Sequence, residues 1–479
     1  MAQPNLANAA TIRWAGLIMR KERFGVSICA VVSFVAMVVA AHPTFVSAAI
    51  ADEADQAGEA LSRAVKADYD AHLGELFRHF HANPELSFQE TQTARRVARE
   101  LRDIGFTVTE GVGGTGVVAI LENGPGPRIL VRADMDGLPV AEKSGLPYAS
   151  TATQADLSGK TMPVMHACGH DMHMTSLIGT ARRMVAMKDT WSGTLMLIGQ
   201  PAEESIGGAK AMRADRLYER FGKPDMALAL HVWSGLEAGL IDISDAAPYS
   251  GSDGVEIIVH GIGAHGASPQ HGKDPVVLAS QIVLALQTLV SRELGPYEPG
   301  VVTVGLFQAG TKRNIISDRA ELQLTVRSDS PETRARLFAG IERIAKNMGR
   351  AAGLPEDKLP TVTLGVDSTP PTVNTPDLAH RLKALWTEKF GPEVVVTRPK
   401  DNMGAEDFPY LTNDPHIPSV YFRVGGTAKA DLERAAAGGD PVPSHHSPLF
   451  RIAPEPSVRR GVEAMVTALL DLMPNRASH

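Results

Sequence analysis

Cysteine is nearly absent from this 479-residue chain, which contains only Cys29 and Cys168. Cys29 falls in an apolar N-terminal segment that reads as removable, so Cys168 is the one thiol expected in the mature chain. A single thiol cannot form an internal disulfide, and this excludes a disulfide-stapled scaffold. Excess positive charge is lacking too: 47 Lys and Arg stand against 54 Asp and Glu, for a net charge of −7. That balance argues against a nucleic-acid-binding face. There is no long like-charge block and no low-complexity tract. A dinucleotide fingerprint is missing in substance. Gly111-Val112-Gly113-Gly114-Thr115-Gly116 fits G-x-G-x-x-G by letter, but it runs into the strand-like Val117-Val118-Ala119-Ile120-Leu121. The phosphate site needs a helix N-terminus there, so the glycines read as a hairpin turn.

What remains is an ordinary globular composition, 44% hydrophobic and 21% charged, in a chain long enough for two or three domains. The N-terminus differs in kind. The basic cluster Arg20-Lys21-Glu22-Arg23 precedes an apolar run from Val26 to Ala41, and Val46-Ser47-Ala48 offers small residues for cleavage after Ala48. This is the layout of an export signal over residues 1–48. The alternative is an uncleaved N-terminal anchor, although the run is short beside the ~20 residues of a membrane span. Met19 is a second possible start.

Hydrophobic spacing predicts a helix over about 53–81, ended by Pro84, and another through Ala94, Val97, Ala98, Leu101 and Ile104. Strands are expected at 128–133, 194–198 and 226–230, with a helix carrying Met174, Leu177, Ile178, Ala181, Met184 and Val185 between the first two. Strands separated by helices imply a parallel-rich α/β sheet, and the polar clusters fall just after strand C-termini, where such sheets bind ligands. A second unit begins near Gly251. Strands at 255–259, 301–307, 322–326 and 361–366 and helices at 277–289 and 337–348 give the order β-α-β-β-α-β of a ferredoxin-like domain. Pro370-Pro371 reads as a linker, and a helix through Val462, Met465, Val466, Leu469 and Leu470 closes the chain. The expected architecture is one α/β catalytic domain, 53–250 and 369–474, interrupted by a small inserted domain, 251–368.

The chemistry concentrates in Met165-His166-Ala167-Cys168-Gly169-His170-Asp171-Met172-His173. A soft thiolate and an imidazole one residue apart suggest a transition-metal site completed from elsewhere. In an oxidising compartment a lone thiol is a liability unless buried or metal-bound, which strengthens the metal reading of Cys168. His166 and His173 are further candidate donors, and Asp171 is expected as cap of the following helix. Glu203-Glu204 follows a strand; adjacent carboxylates can divide labour, one binding metal and the other taking a proton from water. The bland alternative is a solvated acidic pair. His231 ends an apolar strand, His445-His446-Ser447-Pro448 lies in a loop, Glu406-Asp407 is either a supporting pair or a helix start, and His265 falls in the second unit.

Taken together, these segments resemble the M20 metallopeptidase family, most closely its amidohydrolase branch of hippurate hydrolases, N-acyl-amino-acid amidohydrolases and auxin-conjugate hydrolases. The matching text is Arg78-His79-Phe80-His81 through Pro84-Glu85, Arg132 through Pro139, Met165 through His173, Gln200 through Glu204, His231-Val232-Trp233, Ala309-Gly310-Thr311 with Asn314, Glu406-Asp407-Phe408 and His446-Ser447-Pro448, spread over about residues 68–473. The resemblance implies that Cys168, His170, Glu204, His231 and His446 hold two divalent metal ions (zinc, manganese, cobalt or nickel), with the Cys168 thiolate as bridge. It further implies Glu203 as general base, His265 as substrate-binding residue and carbonyl polariser often acting across a dimer, Asn314 near the substrate carboxylate, and Asp136 as a supporting residue that orients a ligand. The expected substrate is a small N-acyl or N-aroyl amino acid, the expected assembly a homodimer or larger. Within the family the rival is a dipeptidase or carboxypeptidase; outside enzymes it is a metal-dependent binding protein, against which the retained Glu203 argues. The chain departs from the family pattern at Gly137, commonly Ala, and at Ser205-Ile206, usually richer in Gly.

Overall fold

The computed structural model describes residues 58–365 and 368–475. The expected export signal, 1–48, lies outside them. The strands in chain order are β1 (Thr107–Val112), β2 (Gly116–Asn123), β3 (Arg128–Asp134), β4 (Thr153–Ala155), β5 (Thr161–Pro163), β6 (Gly193–Gln200), β7 (Met226–Glu237), β8 (Ile241–Asp242), β9 (Gly251–His260), β10 (Ala264–His265), β11 (Gly300–Ala309), β12 (Ile315–Ile316), β13 (Arg319–Ser328), β14 (Thr361–Leu364), β15 (Val395–Val396) and β16 (Ser419–Thr427).

The larger sheet has eight strands in the order β1-β2-β6-β3-β7-β16-β8-β15. Its centre is parallel, β6 with β3, β3 with β7 and β7 with β16, and β1 and β2 add antiparallel strands on one side. Alternation along the central strands divides their side chains between two cores. Ile129, Val131, Leu195, Leu197, Leu228, Leu230, Val420 and Phe422 pack under the helices Gly74–Ala82, Thr91–Asp103, His170–Ala186, Pro376–Phe390 and Pro454–Leu472. Leu130, Met196, Ile198, Ala227, Ala229 and Tyr421 pack on the other side with Ala209, Met212, Leu217 and Phe408. The letter-match glycines make the β1–β2 hairpin: Gly113 and Gly114 both have positive φ, at +66° and +108°, a turn that L side chains resist.

Residues 251–364 carry a separate four-stranded antiparallel sheet in the order β11-β13-β9-β14. Helices Pro275–Thr288 and Pro331–Ala351 cover it with their own core of Leu278, Ile282, Leu286, Leu337 and Ile341 against Ile257, Val259, Leu322 and Leu324. Both helices start on a side-chain cap followed by proline: Asp274 accepts from Val276 N–H, Ser330 from Thr333 N–H. β10 and β12 form a two-stranded ribbon beside this sheet's connections.

Two expectations need correction. His231 does not end its strand, because β16 continues to hydrogen-bond β7 beyond it, with Arg423 opposite His231 and Thr427 opposite Glu237. Asp171 is not the helix cap. Gly169 holds that position at φ +87°, and Asp171 is the second residue of the helix, where its carboxylate accepts Met172 N–H and meets His81.

Candidate metal centre and active site

The chain segments that follow β3 and β6 converge on the middle of β7. Gly169 makes the convergence close: a Cβ there would lie 2.3 Å from Val232 Cγ1, so only glycine lets the chain turn between Cys168 and His170 this near β7. Cys168 Sγ sits 3.4 Å from His231 Nε2. The His231 ring is oriented from behind, its Nδ1–H donating to Val232 O at 2.5 Å. His170 is oriented likewise: Nδ1–H donates to the Asp136 carbonyl at 2.8 Å, which turns Nε2 toward Glu203 and Glu204, each 3.9 Å away. Asp136 sits fully buried and does a second job. Its carboxylate accepts the N–H groups of both Glu203 and Glu204 at 3.1 Å and Ser87 Oγ–H at 2.7 Å, fixing the acidic pair on its loop.

His446 approaches from the other side, its Nε2 3.4 Å from Glu204 Oε2. Its backbone is held in the left-handed region at φ +65°, with N–H bonded to Ala167 O at 2.9 Å. That conformation costs about 1–2 kcal/mol for a non-glycine residue and ties the loop to the Cys168 segment. His445 is otherwise engaged, Nε2–H donating to Val232 O at 2.9 Å and Nδ1 facing Ser234 Oγ at 3.3 Å. His173 is occupied too: Nε2 accepts Val232 N–H at 2.8 Å, so Nδ1–H donates to Asp134 at 2.6 Å. His166 is buried against the His170 ring.

Among the donor groups the fold brings together, two share Cys168, namely Cys168-His170-His231 and Cys168-Glu204-His446, each with its atoms within 4.8 Å of one another. The donors fit divalent cations on two grounds. His170 Nε2 and Glu204 Oε1 are buried without a hydrogen-bond partner among the described residues, an arrangement that costs free energy unless something else binds them. The local field also calls for positive charge. Burial, then the Glu204 and Glu203 carboxylates, push the Cys168 thiol well up. Burial and the carboxylates of Glu406 and Glu204 raise Glu203 well above the usual carboxylate range. A mixed S, N and O set suits zinc, manganese, cobalt or nickel.

The donors open on a cavity of about 650 Å³ lined by Cys168, Glu203, Glu204, His231 and His446 and walled by Trp233 and Tyr249. Beside it lies a buried polar group around Arg132, a residue noted in the sequence only within a longer motif. Arg132, fully buried, reaches Glu406 at 2.7 Å, Asp134 at 2.5 Å, Gln200 at 2.9 Å and Tyr421 at 3.1 Å, and Gln200 donates to Asp407 at 2.6 Å. An arginine inside an apolar strand was the available signal, since a buried guanidinium demands carboxylates. Glu406-Asp407 are those carboxylates, and neither starts a helix. His265 and Asn314 are not brought to the cavity. Both lie at the exposed β10–β12 ribbon, His265 opposite Ile315 and Asn314 just before β12, where its O accepts Gly266 N–H at 2.9 Å.

Comparison with known proteins places this geometry. Residues 130–437 match the model of peptidase family M20/M25/M40. A hippurate hydrolase from Campylobacter jejuni is 37% identical over 339 residues, 70% of this chain and 84% of that protein. A protein named thermostable carboxypeptidase 2 from Saccharolobus solfataricus is 36% identical over 355 residues, 73% of this chain and 85% of its own. The solved structure of a dinuclear metal binding peptidase of the M20 family from Bacillus subtilis superimposes with a TM-score of 0.68 at 26% identity, covering 85% of this chain and 99% of the other. The chain belongs to peptidase family M20/M25/M40 and is a metal-dependent hydrolase.

Proposed function

We propose that the protein hydrolyses the amide bond of N-acyl or N-aroyl amino acids, releasing a carboxylic acid and an amino acid. The observation that carries this reading is the pair of donor groups sharing Cys168, with Glu203 beside them at the floor of the cavity. Cys168, His170 and His231 would hold one divalent ion and Cys168, Glu204 and His446 a second. Bound there, such ions would supply Lewis acidity to water and to the amide carbonyl. The chain's own residues do the rest. Glu203 takes a proton from the attacking water and returns it to the leaving nitrogen; its burial beside other carboxylates favours holding that proton in transit. Asp136 positions Glu203 through its N–H and His170 through its carbonyl. The β9–β14 unit, whose order matches a ferredoxin-like insertion, carries His265 and Asn314 as substrate-contacting residues only if it closes or if a second subunit of a homodimer or larger assembly presents them. Export through residues 1–48 completes the proposal.

A carboxypeptidase or dipeptidase reading is favoured by the second relative's name. One experiment addresses both. Glu203→Gln in the metal-loaded protein is expected to retain its metal, measured by mass spectrometry, and to lose hydrolysis by about three orders of magnitude or more; wild-type turnover from that variant removes the base assignment. A substrate panel of hippurate-like N-acyl amino acids against dipeptides with a free amine separates the readings, and a strong preference for the free amine overturns the first.

A further inference from the structure

Glu90 precedes the helix Thr91–Asp103 and is fully buried. Its Oε1 accepts two backbone N–H groups, that of Ala202 at 2.8 Å and that of Phe88 at 2.9 Å. Its Oε2 accepts the Thr115 hydroxyl in the β1–β2 turn. No cationic side chain among the described residues pairs with it, and a buried carboxylate without a cation costs free energy that a neutral side chain would not. Burial and the nearby Asp136 carboxylate raise its pKa to about 7, so the position works against holding a charge. What this acid does hold is the backbone just before Glu203.

Ala202 lies in the left-handed region at φ +50°, and Ile206, at φ +53°, closes the same turn. Each costs about 1–2 kcal/mol and persists only where its surroundings over-determine it. Between them the turn folds on itself, Ile206 N–H donating to Glu203 O at 2.7 Å and Gly208 N–H to Ala202 O at 3.1 Å. Three successive N–H groups, of Ala202, Glu203 and Glu204, end on buried carboxylates: the first on Glu90, the other two on Asp136. Ser87, three residues before Glu90, donates to Asp136. One short segment, 87–90, therefore supports the acidic pair through both carboxylates. The φ of Ala202 sets the direction in which the chain enters Glu203, so relaxation to an ordinary negative φ redirects the Glu203 side chain.

Resting on Glu203 as the base of the amide-hydrolase reading, we propose that Glu90 is a positioning residue: by accepting the Ala202 N–H it holds Ala202 in the left-handed conformation that aims Glu203 at the attacking water. Its reach matters and its charge does not. Glu90→Gln keeps the Oε1 acceptor, and its amide nitrogen can donate to Thr115 Oγ. Glu90→Asp keeps the charge but falls one methylene short of Ala202. Glu90→Met keeps the length and has no oxygen.

The test measures these variants as metal-loaded full-length protein on whichever class, N-acyl amino acids or free-amine dipeptides, the wild type hydrolyses. A misplacement of about 1 Å at a reacting group can cost about 100-fold. We expect kcat to fall by about tenfold or more in Glu90→Asp and Glu90→Met, with KM and metal content near wild type, and Glu90→Gln to recover most of that loss. The two variants without the Ala202 bond are made in parallel, so one that folds is enough. Adding Ala202→Gly to either should raise kcat again, because glycine takes φ +50° without strain. A readout independent of turnover is amide hydrogen exchange, followed by mass spectrometry over residues 200–208: exchange should be faster in Asp and Met than in wild type and Gln. Wild-type kcat in Asp or Met overturns the proposal. So does an equal loss in Gln, which would make the charge decisive, a loss that tracks missing metal, unchanged exchange over 200–208, or no recovery with Ala202→Gly. Glu203→Gln is measured alongside. If it is inactive while Glu90→Asp turns over normally, only this proposal falls; wild-type turnover from Glu203→Gln, or hydrolysis of neither class by the wild type, removes both readings.

Discussion

His81 is buried between two carboxylates, Nδ1 2.7 Å from Asp171 and Nε2 3.0 Å from Glu142. Both ring nitrogens can donate only if the imidazole is protonated. Burial alone would lower its pKa, but the hydrogen bonds to Asp171 and Glu142 outweigh that and push it up to about 10. The two carboxyls are correspondingly held below their usual range, against the pull of burial. The sign of the linkage follows. A histidine raised from 6.5 contributes its full stabilisation below about pH 6.5 and loses it as pH climbs toward 10; the lowered carboxyls contribute above about pH 4 and lose it on acidification. At about 1.4 kcal/mol per pH unit, the rise corresponds to roughly 5 kcal/mol, and removing one partner of a buried ion group typically costs about 3–5 kcal/mol. His81→Gln is therefore expected to destabilise the metal-loaded protein by about 3–5 kcal/mol at pH 6, read from urea unfolding at fixed metal concentration. The uncharged set His81→Gln, Asp171→Asn and Glu142→Gln removes the titration altogether. The stability difference between wild type and this triple variant should hold between about pH 4.5 and 6.5 and shrink by about 3 kcal/mol by pH 9. A difference that is flat from pH 6.5 to 9 would show that the triad is not ionised and refute the reasoning.

Gly169→Ala should lower stability by about 2–4 kcal/mol, because a side chain at φ +87° is strained by about 1–2 kcal/mol and its Cβ would collide with Val232. As it displaces Cys168 and His170 together, metal retention should fall with it and kcat/KM by at least about tenfold; full metal occupancy and normal turnover would contradict the proposed ligand geometry. For export, N-terminal sequencing of protein recovered outside the cytoplasm is expected to begin near Ala49, and an intact N-terminus would favour an anchor.

Periodicity alone made most of the fold legible. The central strands and the helices from 170 and 454 are strongly apolar in the right rhythm, and the rejected G-x-G-x-x-G became the β1–β2 hairpin for the stated reason, a strand where a helix was needed. The misreadings share a cause. His231 was read as a strand end because the apolar run stops near it, yet strand length is set by partner hydrogen bonds, and β16 supplies them as far as Glu237. Asp171 was read as a cap from residue type, but capping depends on backbone conformation, and Gly169 takes the non-helical position.

By itself, the sequence determined the chemical inventory: a thiol one residue from a histidine, an adjacent acidic pair, a family pattern spread over eight segments, and an α/β frame whose strand ends carry the polar clusters. Those follow from local propensity and residue type. Only the tertiary structure decided which of the loop histidines faces Glu204, that Arg132 buries its charge among Glu406, Asp407 and Asp134, and that His265 and Asn314 lie by an exposed ribbon away from the cavity. The pairs Arg132–Glu406, Arg132–Asp407 and Glu204–His446 join residues hundreds of positions apart. Their distances, burial and unmet hydrogen bonds are properties of packing, which local sequence pattern does not encode.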